Sequence, residues 1–231
     1  MELINNNNKV KEIESNFFSS LVNVKSSVND NKTRQYEDIV NSKLYNKIFW
    51  GTLPKDYTEF AKKAILNAKG TSLDIGCGSL VQTAALYANS KQNHILLDQS
   101  VEMLRIAKKR LANHNGKIPD NIKLLQADAF KLPFENETFE KIVSFGMIHC
   151  FENKTEFINE ALRVLKPNGV FYFTTITSDR LFSRFYMNRL RKQKKIGEPL
   201  SSQKLLNLFN DKSYIIEYYK KGNMLFIIGI K

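Results

Sequence analysis

The sequence predicts an α/β fold built on a doubly wound, mostly parallel, seven-stranded sheet. Short apolar runs alternate with helix-length segments between residues 72 and 176, a pattern typical of βαβ units in a parallel sheet. The first run, SLDIG, leads into a glycine turn and then into a predicted helix. The last two runs, SYIIEYYK and NMLFIIGI, are separated by Lys221-Gly222, so we expect a closing hairpin whose final strand is antiparallel.

Three regions follow one another along the chain. Residues 1–9 contain four consecutive asparagines, and we expect them to form a flexible tail. Residues 10–69 show helical spacing of apolar side chains, which predicts N-terminal helices. The core follows at 70–231, and within it the basic, aromatic segment 178–195 is predicted to form a cap after strand five. Helices of the core are predicted at 81–88, 101–111, 155–165 and 201–209.

Composition indicates one globular domain. The 231 residues are 42% hydrophobic, which is enough for a sizeable core and excludes fibrous and fully disordered chains. No apolar run reaches the roughly 18 residues that a membrane helix needs. The N-terminus lacks the apolar segment of a secretory signal, so we expect a cytoplasmic protein. Cys77 and Cys150 are too few for a disulfide framework, and no cluster of ligands indicates a metal.

The residues after the first strand carry the main functional signal. In LDIGCGSL, Gly76 and Gly78 let the backbone approach a ligand, and the following helix offers unpaired N–H groups. Asp98 ends the second strand, 20 residues after Gly78, where a carboxylate can accept both ribose hydroxyls. The third glycine of a dinucleotide fingerprint is replaced by Val81, so NAD is disfavoured and another adenosine-type cofactor is predicted.

Four segments in order resemble the class I S-adenosylmethionine-dependent methyltransferases, specifically the small-molecule group that includes enzymes of ubiquinone and menaquinone biosynthesis. They are LDIGCGSL, LLDQS, QADAFKLPFENETFEKIVSF and LRVLKPNGVFYFTT, within residues 70–176. The resemblance implies S-adenosylmethionine as cofactor, with Asp128 at the adenine amino group beside the Ala129 N–H. The family usually has glycine where this chain has Leu80, so the geometry near the methionine tail is expected to differ. The cofactor-binding residues implied are Asp74, Gly76, Cys77, Gly78, Asp98, Gln99, Asp128, Ala129 and Phe145.

The segment IVSFGMIHCF, at the end of the fourth strand, is where the substrate is expected to meet the carboxyl edge of the sheet. His149 matches a histidine of the resembling family and is the candidate general base, with a pKa near the operating pH. A packing or cofactor-contacting histidine is the alternative. Cys150 lacks the Pro-Cys context of cytosine C5 chemistry, so a buried thiol is favoured over a nucleophile.

Two aromatic segments are candidates for substrate contact. The resemblance implies that the N-terminal helices at 10–69 form a lid over the cofactor and substrate, with Tyr36, Tyr45 and Trp50 as its aromatic side chains. An ordinary core stripe is the alternative for these three residues. In the cap, Arg180 and Arg184 are the candidate substrate-contacting cations. Segment 178–195 has seven basic side chains against one acidic residue, so it holds half of the net charge of +12. The segment is interpreted as a cap over an anionic or amphiphilic substrate, which includes a membrane-surface role, as an RNA-binding face, or as a solvated helix.

The sequence therefore predicts transfer of a methyl group from S-adenosylmethionine to an O, N or C nucleophile of a small metabolite, anionic or aromatic in character. An RNA methyltransferase and a non-catalytic S-adenosylmethionine-binding regulatory protein are the alternatives. Nucleic acid is disfavoured as a partner because no separate RNA-binding domain is visible. Peripheral membrane contact stays open, and the oligomeric state is not predicted.

Overall fold

The computed structural model describes residues 10–21, 42–66, 70–115, 117–209 and 214–231, with the side chains of 113–115 left out. The predicted tail at 1–9 and the candidate substrate residue Tyr36 lie outside these ranges. Of the described helices, none is both long and apolar enough to cross a bilayer. Nor do the described side chains include a group of three or more His, Cys, Asp or Glu residues placed to hold a metal ion.

The predicted α/β class is confirmed, and its sheet is wider than predicted. Within the described ranges the sheet has nine strands in the order β1-β2-β5-β4-β3-β6-β7-β9-β8. The seven predicted strands are β3 to β9, and β9 is antiparallel to its neighbours, as expected. The strands are β1 (Lys11–Glu14), β2 (Phe17–Ser19), β3 (Thr71–Ile75), β4 (Asn93–Asp98), β5 (Ile122–Gln126), β6 (Phe139–Phe145), β7 (Leu165–Ile176), β8 (Ile215–Lys221) and β9 (Met224–Ile230).

Helices cover both faces of the sheet. Helices α2, α3 and α4 contribute to one buried apolar cluster, and α5 and α7 contribute to a second. Helix α3 begins at Ala84, so the predicted helix from residue 81 is shorter by its first turn. The helices are α1 (Lys43–Tyr45), continued by a π-turn at Asn46–Trp50, α2 (Pro54–Leu66), α3 (Ala84–Ala88), α4 (Val101–Asn115), α5 (Lys154–Arg163), α6 (Leu181–Lys192) and α7 (Ser202–Asn207).

The first of the predicted N-terminal helices is wrong, because residues 11–19 form a β-hairpin. Strand β2 pairs in parallel with the edge of β5, with Phe17 opposite Leu124. Asn16 turns the chain with a φ of 59°, a left-handed conformation that asparagine tolerates. Phe17 is fully buried in the apolar cluster to which α2, α3 and α4 contribute. Pairing with an open strand edge and burial of Phe17 therefore outweigh the short helical periodicity.

The strand order places the candidate site. Strand β3 lies between β4 and β6, so the chain winds away from β3 in both directions. A crevice forms at the carboxyl ends of the strands where the winding direction reverses. The turns that follow β3, β4, β5 and β6 therefore meet at one edge of the sheet.

The cap segment contains α6, which packs against the π-turn at Asn46–Trp50. The Tyr45 and Tyr186 hydroxyls lie 2.8 Å apart, and the Phe49 and Tyr186 rings are 4.3 Å apart. Asn223, in the turn between β8 and β9, is fully buried beneath both segments. Its N–H donates to the Trp50 carbonyl at 2.6 Å, and its carbonyl accepts from the Thr177 N–H at 2.7 Å. The π-turn, the end of β7 and the β8–β9 turn thus form one connected unit.

Candidate cofactor and substrate site

The glycine turn after β3 is fixed against β4. The N–H groups of Gly76 and Cys77 both donate to the Leu97 carbonyl, at 2.8 and 2.9 Å. Gly76 has a φ of 77° and lies against the Met147 side chain, which a Cβ at this position would strike. Gly78 has a φ of 59°, and a Cβ built there would have no neighbour within 4 Å. The turn thus presents bare backbone to an open space at Gly78, as close approach to a ligand requires.

Leu80 takes the backbone conformation that glycine adopts most easily. Its φ is 57°, in the left-handed region that costs an L-residue about 1–2 kcal/mol. Its side chain is buried, with 2% of its surface exposed, in the cluster that includes Tyr87 and Phe145. The direction of the turn is therefore kept although the glycine is absent.

Asp98 joins the turns that follow β3 and β4. One carboxylate oxygen accepts from the Gly78 N–H at 2.9 Å, and the other accepts from the Ser100 N–H at 2.8 Å. Burial raises the pKa of this carboxyl group, and the backbone hydrogen bonds act in the opposite direction. A carboxylate has about four acceptor positions, so further hydroxyl donors can be accommodated.

Asp74, inside β3, holds a buried oxygen without a partner. Its Oδ2 accepts from the Tyr87 hydroxyl at 2.7 Å, whereas its Oδ1 has no hydrogen-bond partner. Burial raises the pKa of the carboxyl group to about 7, against the lowering effect of the Tyr87 hydrogen bond. An unsatisfied buried acceptor carries a free-energy cost of about 1–3 kcal/mol until a donor reaches it. This oxygen is therefore prepared for a polar or cationic ligand group.

Two hollows at the sheet edge meet at Gly76, and together they contain every predicted cofactor residue. The first hollow lies between the glycine turn and α2, and the second lies between the turns after β4, β5 and β6. Predicted residues that line the first are Asp74, Gly76, Cys77, Gly78 and Phe145. Predicted residues that line the second are Gly76, Asp98, Gln99, Asp128 and Ala129.

Several lining residues were not predicted from the sequence. Tyr57 of α2 borders the first hollow, where its ring lies 5.2 Å from that of Phe145. Met147 and Phe151 border the second hollow. Tyr87, in the helix that follows the glycine turn, donates its hydroxyl hydrogen bond to Asp74. A tyrosine after such a turn is a recognisable signal, whereas the Tyr57 contact depends on how α2 packs.

The residues after β6 do not have the properties of a poised acid or base. Burial lowers the pKa of His149 to about 3, so the predicted pKa near the operating pH is wrong. The ring contacts the Thr175 hydroxyl at 3.3 Å through Nδ1. Burial raises the pKa of Cys150 to about 11, in agreement with the predicted thiol. His149 is therefore a neutral imidazole at physiological pH.

Of the predicted substrate residues, the four that the structure describes lie around the cap rather than around the two hollows. Trp50 is buried, and its ring lies 5.8 Å from that of Tyr186. Tyr45 belongs to the same aromatic group, which agrees with the core-stripe alternative. The Arg180 guanidinium packs against Gly51, and Arg184 Nε donates to the Ser178 carbonyl at 3.1 Å. Neither arginine borders the two hollows.

A family model described as "Methyltransferase domain" matches residues 66–213, a range that includes the cap and, apart from Tyr57, the residues that line the two hollows. The chain belongs to this methyltransferase family. Its resemblance to the small-molecule group is confirmed by relatives such as the demethylmenaquinone methyltransferase of Clavibacter sepedonicus. That protein is 36% identical over 98 residues, which cover 42% of this chain and 37% of the relative. The chain spans about a third to a half of the length of the curated methyltransferases it matches.

Solved structures with TM-scores near 0.6 show the same fold. A SAM-dependent methyltransferase from Thermotoga maritima superposes with a TM-score of 0.59 at 19% identity and covers 86% of this chain and 98% of its own. The [4+2]-cyclase SpnF superposes with a TM-score of 0.62 at 14% identity and covers 87% of this chain and 95% of its own. At these identities the comparison establishes the methyltransferase fold, and the chemistry has to be argued from the site.

Proposed function

We propose that this protein binds S-adenosylmethionine across the two hollows and transfers its methyl group to a small metabolite. The observation that carries the proposal is that the unpaired Asp74 oxygen lies in the first hollow and that Asp98 and Asp128 line the second, which adjoins the first at Gly76. The methionine ammonium would meet Asp74 Oδ1 in the first hollow. The ribose hydroxyls would meet Asp98, and the adenine would lie beside Asp128 and Ala129 in the second hollow.

The polar groups that line the two hollows fit the chemical groups of this cofactor. A buried acceptor without a partner suits a cationic donor, and a carboxylate at the end of the second strand suits vicinal hydroxyls. The open face of Gly78 leaves room for close contact with the ligand. Asp128 Oδ1 accepts from the Phe130 N–H at 2.9 Å, which holds the turn that borders the adenine position.

When bound, the cofactor supplies an activated methyl group on a sulfonium, so the protein contributes mainly position and exclusion of water. Phe145 and Tyr57 border the first hollow next to Gly76, where the reacting centre would lie. Aromatic faces favour cationic groups. His149 is neutral at physiological pH, so it can orient an acceptor through a hydrogen bond. It is not suited to store the proton that leaves the acceptor.

The acceptor is proposed to be a small aromatic metabolite of the quinol or phenol class. The name of the Clavibacter relative gives a quinone as its substrate, and that relationship supports an aromatic acceptor here. The aromatic edge contact between Tyr57 and Phe145 supplies an apolar wall beside the reacting centre.

Calorimetric titration with S-adenosylmethionine, with NAD as the control ligand, tests the cofactor assignment. We expect binding of S-adenosylmethionine alone, and loss of that binding in Asp98→Ala. Asp120→Asn, an exposed carboxylate in the loop before β5, is the matched control and should bind normally. Binding of NAD, or unchanged affinity in Asp98→Ala, contradicts the proposal.

Turnover is tested separately by release of S-adenosylhomocysteine in the presence of a panel of quinols and phenols. Product release that depends on one of these acceptors supports the proposed reaction. Tight cofactor binding without product formation on any acceptor, including an RNA panel, favours a non-catalytic binding protein. Turnover on RNA alone favours the RNA methyltransferase alternative.

A further inference from the structure

The cap and the π-turn together expose an unusual number of large apolar side chains. Leu181 and Phe185 of α6 have 80% and 73% of their surfaces exposed, and Phe182 beside them is also exposed. On α1 and the π-turn, Leu44 and Ile48 are exposed four residues apart. We call these five side chains, together with the Lys and Arg side chains of segments 43–50 and 181–195, the cap patch. They belong to adjacent elements, because the Phe49 and Phe182 rings lie 5.6 Å apart.

The charged residues of the segments that carry the cap patch are all cations. Segments 43–50 and 181–195 contain eight Lys and Arg residues and no Asp or Glu. Lys43 and Lys47 precede Leu44 and Ile48 directly, and all four side chains are exposed. Arg189 and Lys192 lie one turn or two beyond Phe185 on α6 and are exposed as well. Exposed apolar side chains beside Lys and Arg are the features of a helix that lies in a bilayer interface.

We propose that the cap patch docks on an anionic lipid bilayer, with its apolar side chains entering the headgroup region and its cations contacting lipid phosphates. Charge complementarity selects this partner. A second copy of the chain would bring two cationic surfaces together across a symmetric interface. RNA would engage the cations and the phenylalanine rings, but Leu44, Ile48 and Leu181 would gain nothing from it.

The docking surface is mechanically connected to the sheet edge. The Ser183 hydroxyl on α6 donates to the Phe49 carbonyl at 2.7 Å, and the Asn223 side chain contacts Ser183. Asn223 also binds the Trp50 carbonyl. A bilayer that holds α6 therefore also holds the π-turn and the β8–β9 turn, beside the carboxyl edge of the sheet where the substrate is expected.

Sedimentation with sucrose-loaded vesicles tests this proposal on the full chain. The probes are vesicles of phosphatidylcholine alone and of phosphatidylcholine with phosphatidylglycerol. We expect at least roughly tenfold stronger partitioning to the anionic vesicles, since each cation near such a surface contributes measurably. Leu181→Ser/Phe185→Ser and Arg189→Glu/Lys192→Glu should each weaken that partitioning by roughly tenfold or more.

Matched controls separate the cap patch from general surface effects. Ile215→Ser removes an apolar side chain of similar exposure, 67%, from the edge strand β8. Lys91→Glu/Lys117→Glu reverses two exposed lysines in the loops before β4 and β5, at the opposite edge of the sheet. Both controls should bind vesicles as the unaltered protein does.

Several outcomes overturn the proposal. No partitioning to anionic vesicles does so, and so does an equal loss in the cap-patch variants and in the controls. Vesicle binding that is unchanged in Leu181→Ser/Phe185→Ser shows simple charge attraction without insertion. If the cap-patch variants instead lose affinity for a single-stranded RNA, or lose a dimer seen by gel filtration, while vesicle binding is unaffected, the surface serves that partner. Normal S-adenosylmethionine binding by the variants distinguishes failure of docking from failure of the cofactor assignment.

Discussion

Acidification is expected to weaken S-adenosylmethionine binding through one residue, Asp74. In the ligand-free protein burial raises the pKa of its carboxyl group to about 7. The cofactor ammonium beside Oδ1 would stabilise the carboxylate and lower that pKa in the complex. Binding would then release a proton, so affinity falls as the pH drops below the pKa of the free protein.

The size of the effect follows from the pKa. At pH ~7 about half of the free protein has Asp74 ionised, and at pH ~5 only about 1% has, so the apparent dissociation constant rises about fiftyfold between them. The fiftyfold change corresponds to about 2 kcal/mol of binding free energy. This value is an upper limit, which is reached when the pKa of Asp74 in the complex lies below ~5. The pH values compared do not exceed ~7, because the α-amino group of the ligand itself loses its proton near pH ~8.

Calorimetry in two buffers of different ionisation enthalpy measures both the affinity and the released proton. Asp74→Asn removes this titrating group, so its affinity should be weak and should depend on pH much less than that of the unaltered protein, whereas Asp120→Asn should behave as the unaltered protein. A flat profile in the unaltered protein, or an equal slope in Asp74→Asn, refutes the reasoning.

The same carboxyl group should also make the ligand-free protein less stable at higher pH. A folded-state pKa above the unfolded value of ~3.9 means that the folded protein holds a proton which the unfolded chain releases. Stability is therefore lost as the pH rises from about 4 to about 7, by up to about 4 kcal/mol. Asp74→Asn should accordingly raise the melting temperature of the ligand-free protein at pH ~8 while it weakens binding. A lower melting temperature there would contradict the raised pKa of Asp74 in the folded protein.

Three further predictions follow from single residues of the same edge. Leu80→Ala loses a buried side chain at a cost of about 2–5 kcal/mol, and Leu80→Gly loses the same side chain but adopts the φ of 57° without strain. Urea unfolding should therefore find the glycine variant about 1 kcal/mol more stable than the alanine variant, and the reverse order contradicts the strain assigned to Leu80. Asp98→Ala leaves the N–H groups of Gly78 and Ser100 without their acceptor, so cofactor affinity should fall by roughly tenfold or more. The His149 ring, with its pKa near 3, should show no titration by NMR between pH ~5 and ~8, and a midpoint near ~6.5 would restore it as a candidate base.

The central strands and the position of the candidate residues at the sheet edge could be predicted because both follow from local sequence. Strands β3 to β7 are buried on both faces, so each reads as a short apolar run, and the turn after each run lies at the carboxyl edge. A residue such as Asp98 or Asp128 is therefore placed at the site by its position after a strand. The predicted role of each at the cofactor still depends on the resemblance and awaits the titration.

The parts that were missed depend on contacts between distant segments. The apolar spacing of Ile13, Phe17 and Phe18 fits a helix, and only the open edge of β5, more than 100 residues away, makes β2 a strand. The low pKa of His149 has the same origin, because burial by residues far along the chain decides it. The position of Trp50 against α6 also depends on a distant residue, because the Trp50 carbonyl accepts a hydrogen bond from the N–H of Asn223.

Leu80 shows how the turn keeps its conformation without a glycine at this position. The turn is held from outside, since the Arg110 guanidinium donates to the Ser79 carbonyl at 2.8 Å and Leu97 accepts from two N–H groups of the turn. The leucine side chain adds burial that offsets the cost of a left-handed backbone. Leu80 borders the first hollow, but its side chain is buried in the core, so it leaves the open side of Gly78 clear for the proposed ligand. The departure from the glycine pattern of the family therefore changes how the turn is stabilised, and it leaves the backbone at Gly78 accessible to the proposed cofactor.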